Sequence, residues 1–193
     1  MLAAIANATL RILLFRAGPQ DFPYDPRLTA PLALAAALAT GLQVMPTVPL
    51  NAAVAVSIAT VAALGIATRF VLRLRRLDAR FHQTFAALLA TNAVLTLLIV
   101  PFAAQAAPAL RELANNPALL EHPEQMAMPL PFAVVFVMLL LSLWNLLVNA
   151  SIFRHAVNVS FGAGVLIAFG LSLTLQLFVN IVASFFAGPL AGS

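Results

Sequence analysis

The groups able to do covalent or acid–base chemistry are few: three histidines, six carboxylates and no cysteine in 193 residues. Without cysteine there are no disulfides, thiolate nucleophiles, iron–sulfur ligands or cysteine-based zinc sites. His82 and His155 flank apolar stretches, and two histidines from separate helices can ligate haem iron or a transition metal. Only Asp78 lies close by to orient such a ring. The pair is therefore read as interfacial, beside Arg80 and Arg154, and His122 as a plain surface residue. HExxH spacing, paired carboxylates, a Ser-His-Asp order and a phosphate-cradling glycine loop are all missing from the sequence. The expectation is a non-enzymatic protein with no cofactor and no metal.

Uncharged polar residues carry more information. Gly164, Ala168, Ser172, Gln176, Asn180, Ser184 and Gly188 recur every four residues, one slowly drifting line on a helix. Within lipid, small residues let helix backbones approach, and an interhelical hydrogen bond from Gln or Asn contributes about 0.6 kcal/mol. The line is thus a packing seam for the bundle or a partner helix. The other reading has Gln176 and Asn180 lining a polar cavity or partner groove. Ser142, Asn145 and Asn149 share a face beside Trp144, and Thr91, Asn92 and Thr96 sit together further upstream. At about 1.5 Å per residue, Asn92 and Asn145 lie roughly 12–15 Å from the same membrane face and are expected to meet. Gln176 and Asn180 fall toward the other face, which predicts two polar layers and no converged site. Ala55, Ala59, Ala63 and Ala67, and Ala33, Ala37 and Gly41, form further small-residue faces. The GAG at 162–164 reads as a helix start.

The elements that position these residues follow from composition. The chain is 63% hydrophobic and 8% charged, with a mean hydropathy of +1.02. Soluble domains carry about 25% charged residues, and disorder needs the opposite balance. An all-α integral membrane protein is the expectation, a bundle of five transmembrane helices preceded by an N-terminal interfacial segment. A spanning helix needs about 20 apolar residues, and the stretches 28–45, 50–68, 85–104, 130–153 and 161–186 qualify. Pro46 and Pro49 bracket a tight turn between the first two, Pro129 and Pro131 open the fourth, and Pro101 should kink or end the third.

All ten basic residues are arginine. A pI near 11.4 would suggest nucleic acid for a soluble protein, but no basic stripe interleaved with aromatics exists here, so no nucleic-acid partner is expected. The positive-inside rule places the N-terminus, Arg69, Arg73, Arg75, Arg76, Arg80 and Arg154 in the cytoplasm. This basic face is expected to meet anionic lipid or a protein partner. The outer loop 105–129 carries Glu112, Glu121 and Glu124, with a short amphipathic helix expected over 109–120. The first residues do not form a signal peptide, because Arg11 and Arg16 follow the apolar residues instead of preceding them. Leu2, Ile5, Ile12, Leu13 and Phe15 suit a helix lying on the cytoplasmic leaflet, within an interfacial segment over 1–27 that precedes the transmembrane domain of 28–193.

Several segments in order carry a family resemblance: LFRAGPQDFPYDP before the spans, the tight first hairpin, and a short basic loop leading into RFHQTFAALLATNAVLTLLIVP. LWNLLVNASIFRHAVNVS then turns directly into a glycine-started fifth span. In this the chain resembles the Yip family of five-span membrane proteins, specifically its short bacterial branch. Eukaryotic members have a long cytoplasmic N-terminus with a DLYGP-like motif and act with Rab-type GTPases. This chain has DFPYDP instead, so no GTPase-binding role is implied, and the bacterial branch lends no catalytic residues.

The expected function is a non-enzymatic scaffold or interaction protein of a bacterial inner membrane, in contact with lipid and with a protein partner or a second copy. The alternative is a channel, small-solute transporter or lipid-handling protein with a neutral polar path along Asn92, Asn145, Gln176 and Asn180. The topology predicts that a reporter fused after Ser193 is exported and that one inserted near Arg76 stays cytoplasmic. The reverse pattern in a dual-reporter fusion assay would overturn the assignment of faces.

Overall fold

Lipid offers the backbone no hydrogen bonds, so a chain this apolar must satisfy its amides internally, as helices. A computed structural model describes residues 1–120, 126–127 and 131–186. Among these residues the chain forms α1 (Leu2–Leu13), α2 (Thr29–Val44), α3 (Leu50–Leu74), α4 (Phe81–Asn115), α5 (Phe132–Val157) and α6 (Phe161–Phe186), and no strand. The last five are long and apolar enough to cross a membrane. The chain is an all-α, multi-pass membrane protein. Expected features at Glu121, His122, Glu124, Pro129 and Gly188 lie outside the described residues.

The neighbouring pairs are α2 with α4, α4 with α5, α5 with α6, α6 with α3, and α3 with α2, so the five spans close into a ring. One end of the ring collects Arg69, Arg73, Arg75, Arg76, Arg80 and Arg154, all exposed, and is called here the arginine end. Arg80 ties two helices there, its Nη1 donating to the Ala156 carbonyl at the end of α5 at 3.0 Å. At the far end the Asn51 amide donates to the Phe186 carbonyl at 2.9 Å, joining α3 to α6.

The span boundaries differ from expectation chiefly in α4. It runs unbroken through Pro101 and Pro108 to Asn115 and absorbs much of the expected outer loop. Both prolines are exposed, whereas Ala103, Ala106, Ala107 and Ala109 are buried. Packing on the alanine face holds the helix together where the proline face lacks its hydrogen bonds. The expected amphipathic helix over 109–120 is correspondingly the last turns of α4 followed by a short 3-10 turn, Pro117–Leu120. α3 extends to Leu74 and α5 to Val157, which carries both into the arginine end.

α1 is anchored on the bundle. Ile12 and Leu13 are buried among α4 and α5 residues, and Trp144 Nε1 donates to the Leu13 carbonyl at 3.2 Å. Trp144 lies midway along α5, so the end of α1 meets the flank of the bundle and not its arginine end. Phe15 closes α1 in the left-handed region, φ 59°. Its amide donates to Ile12 at 2.9 Å and the Arg16 amide to Arg11 at 2.7 Å, satisfying the last carbonyls. The Phe15 ring rests 5.6 Å from Trp144, which explains a bulky residue where glycine is usual.

Packing is densest toward the arginine end, where Leu88, Leu89, Val148, Ile152 and Phe153 are buried. Two helices approach closely at Gly164, where a Cβ would lie 2.5 Å from the Ala150 carbonyl oxygen and 3.3 Å from the Arg154 backbone nitrogen. The GAG is therefore more than a helix start: its last glycine lets α6 touch the α5 backbone. Gly164→Ala is expected to lower stability by about 1–3 kcal/mol through overpacking. Gly170→Ala, with nothing within 4 Å of its Cβ, should leave thermal unfolding in detergent unchanged or slightly raised. Equal midpoints for the two variants would contradict this packing.

Candidate functional site

The ring encloses a cavity of about 450 Å³ to which all five spanning helices contribute. α4 and α5 supply Asn92, Thr96, Asn145 and Asn149, and α6 supplies Ser172 and Gln176. Thr40 and Gln43 of α2 and Thr60 of α3 complete the polar lining. Valines and leucines fill the intervals, among them Val56, Leu64, Leu89 and Leu175, and no charged side chain is present.

Three asparagines make a connected wall. The Asn92 amide donates to Asn149 Oδ1 at 3.3 Å and to the Leu88 carbonyl at 2.8 Å. Asn149 Nδ2 donates back to Asn92 Oδ1 at 3.4 Å and to Asn145 Oδ1 at 3.0 Å. Asn92 thus pairs with Asn149, one helical turn from the expected Asn145, which joins through Asn149. Thr40 and Thr60 spend their hydroxyl protons on Ala36 and Val56 one turn back.

The remaining groups are open. Among the described residues no hydrogen bond engages Asn145 Nδ2, Gln176 Oε1, the Gln43 amide or the hydroxyls of Thr96 and Ser172. None is sealed off, since Thr29 Oγ1 is the buried side-chain atom without a partner among those residues. Neutral donors and acceptors with no protein partner face one space, and such a space accommodates water or a polar ligand.

The two expected polar layers therefore merge. Asn92, Asn145 and Asn149 lie along one side and Gln176 along another, because α6 brings Ser172 to the level of the asparagines and Gln176 one turn beyond. The line on α6 divides by function. Gly164 and Ala168 are buried against the bundle, Ser172 and Gln176 line the cavity, and Asn180 and Ser184 are exposed. Asn180 is not in the lining, although its Oδ1 accepts from Gln176 Nε2 at 3.0 Å. A line stepping every four residues advances about 40° per step on a 3.6-residue helix, which carries Asn180 and Ser184 round to the outside. Ala55, Ala59, Ala63 and Ala67 are only partly buried, and Val56, Leu64, Thr68 and Leu72 take the core of α3 instead.

Thr40, Gln43 and Thr60 escaped the sequence reading. Gln43 was visible in principle as the one amide of an alanine-rich span, three residues after Thr40. Thr91, by contrast, is buried with its hydroxyl donating to Ala87 at 2.8 Å, away from the cavity.

At the arginine end a depression of about 310 Å³ holds Arg80, Gln83 and His155. Their contacts run to the protein itself: Arg80 to Ala156, Gln83 Nε2 to the Phe22 carbonyl at 3.1 Å, and His155 Nδ1 with Ser151 O at 2.7 Å. His82 lines a separate recess with Arg69 and Asp78, so the two histidines do not converge. Among the described residues no three potential ligands cluster to hold a metal ion. The Arg69 guanidinium lies 5.8 Å from the Phe81 ring centre, a cation–π contact that steadies the turn between α3 and α4.

No family model, curated protein or solved structure matches the chain.

The asparagine wall acts as a unit. Asn92→Leu and Asn149→Leu should each cost about 0.5–2 kcal/mol, and the double variant less than their sum, since both remove the same bonds. Strict additivity in a double-mutant cycle by denaturant unfolding in mixed micelles would dismiss the network.

Proposed function

We propose that this is a non-enzymatic, multi-pass protein of a bacterial inner membrane that binds and handles an uncharged, hydrogen-bonding ligand inside the bilayer. One observation carries the reading: a neutral polar cavity of about 450 Å³ lies within a ring of five apolar helices. Polar side chains in a spanning region are costly unless they face one another, water or a ligand. An anion or cation would lose several kcal/mol of hydration there with no counter-charge to meet it. The volume is in the range of small-molecule sites, about 300–1,000 Å³. The arginine end faces the cytoplasm in this reading, and the order of sequence features resembles that of the short bacterial Yip-like proteins.

A second reading, an interaction scaffold, draws support from Asn180 and Ser184, polar groups exposed on the outside of α6. A partner helix or a second copy covering them would account for their position.

The test is ligand-dependent stabilisation. A ligand that binds the folded state raises its unfolding midpoint in proportion to occupancy. Glycerol and a short-chain diacylglycerol are expected to stabilise the wild-type protein, with the apparent affinity at least about tenfold weaker in Asn145→Leu, Gln176→Leu. Equal shifts in wild type and variant would overturn the cavity as the binding site.

A further inference from the structure

The ring is not uniformly closed. Near the arginine end α5 and α6 touch through Gly164 and Ala150, and Phe153 of α5 is 1% exposed. Seven residues back along the same α5 face Leu146 is half-buried, and seven further back Leu139 is 65% exposed. Residues seven apart share a face to within about 20°, so this face of α5 is covered at one end and uncovered at the other. On α6 the change is parallel: Gly164 and Ala168 are buried, while Ser172 and Gln176 are exposed although they line the cavity. Beyond the Gly164 contact, exposed side chains of α6 therefore border the cavity. Ser142 is exposed on α5 one turn from the cavity-lining Asn145.

We propose that α5 and α6 part beyond the Gly164 contact and that the gap between them is a lateral portal through which a membrane lipid with an uncharged, hydroxyl- or amide-bearing headgroup enters the cavity from the bilayer. This rests on the reading of the cavity as a ligand site. The opening lies within the spanning segments, so acyl chains and not bulk water stand outside it. Its rim is apolar, with Leu139, Leu143 and Leu173 exposed, and suits a chain that remains in the membrane. Inside, the free Asn145 Nδ2, Ser172 hydroxyl and Gln176 Oε1 match hydroxyl or amide groups. A phosphate would find no cation in the lining. The packed core at the arginine end forms a floor, so the headgroup enters a blind recess.

The experiment uses two photoactivatable lipids with identical chains, a diacylglycerol and a phosphatidylglycerol, in phosphatidylethanolamine–phosphatidylglycerol vesicles carrying the full-length protein. The diacylglycerol should label peptides containing Ser142 or Ser172 about tenfold more than the phosphatidylglycerol, given the cost of burying an unpaired charge. Ser142→Trp should suppress that labelling and Leu140→Trp, on another face of α5, should not. Leu139→Trp, one turn further out on the exposed face, serves as a second block should Ser142→Trp fail to fold. Equal labelling by the two lipids, or labelling undiminished by a folded block, would overturn the portal, as would cross-links to a second copy in place of lipid. If glycerol still stabilises the wild type through Asn145 and Gln176 while diacylglycerol does not label it, the cavity stands and its ligand is a free polyol. If neither binds, the cavity reading fails with the portal.

Discussion

The backbone contact between α5 and α6 at Gly164 sets the geometry of everything beyond it. With no side chain at that position, α6 approaches the Ala150 carbonyl directly, and the short turn 158–160 holds the two helices at the same end. Beyond this pivot Ser172 and Gln176 face the cavity instead of a neighbouring backbone. The Asn158 turn reinforces the pivot, since its left-handed backbone, φ 53°, ends α5 in a conformation asparagine tolerates better than most residues. The arrangement therefore begins with one glycine and one asparagine on either side of a tight bend.

The cavity is polar without being charged, and the distinction decides what kind of protein can be built around it. Buried carboxylates or lysines would make the interior a proton or ion pathway and would demand partners at each step. Amides and hydroxyls demand less: the Asn92–Asn149 pair satisfies itself, and Thr40 and Thr60 return their protons to the preceding turn. What remains unpaired is a short set of donors and acceptors on α2, α4, α5 and α6. Such a set discriminates by shape and hydrogen-bond pattern, with charge acting as the excluding criterion.

Much of the fold was legible in the sequence because hydropathy and proline punctuation are strong signals in a chain this apolar. α6 has the expected bounds and α2 and α3 meet at the expected proline-bracketed turn. Of the two outcomes expected at Pro101, a kink or an end, the end does not occur, because a buried alanine face can carry a helix past a lone proline. The site was harder to see. Individual amides stand out, but whether Asn92 meets Asn145 or Asn149 depends on a shift of one turn between helices, which no spacing within either helix records. Likewise, the four-residue line on α6 was visible as a line. Its rotation from core to cavity to outer surface required knowing where α5 and α3 lie.

The hydrogen bond from Trp144 to the Leu13 carbonyl joins residues 131 positions apart, and this separation orders events in time. α1 leaves the ribosome before the spans, yet its resting place on the bundle, built by α4 and α5, is not complete until the fourth span has been threaded into the membrane. Until α4 is made its buried face, with Ile12 and Leu13, has no protein wall to lie on, and until α5 follows that wall is half built; a lipid surface is a setting its amphipathic sequence also suits. A segment made before the spans is thus seated after most of them, and its docking registers that the fourth span is in place.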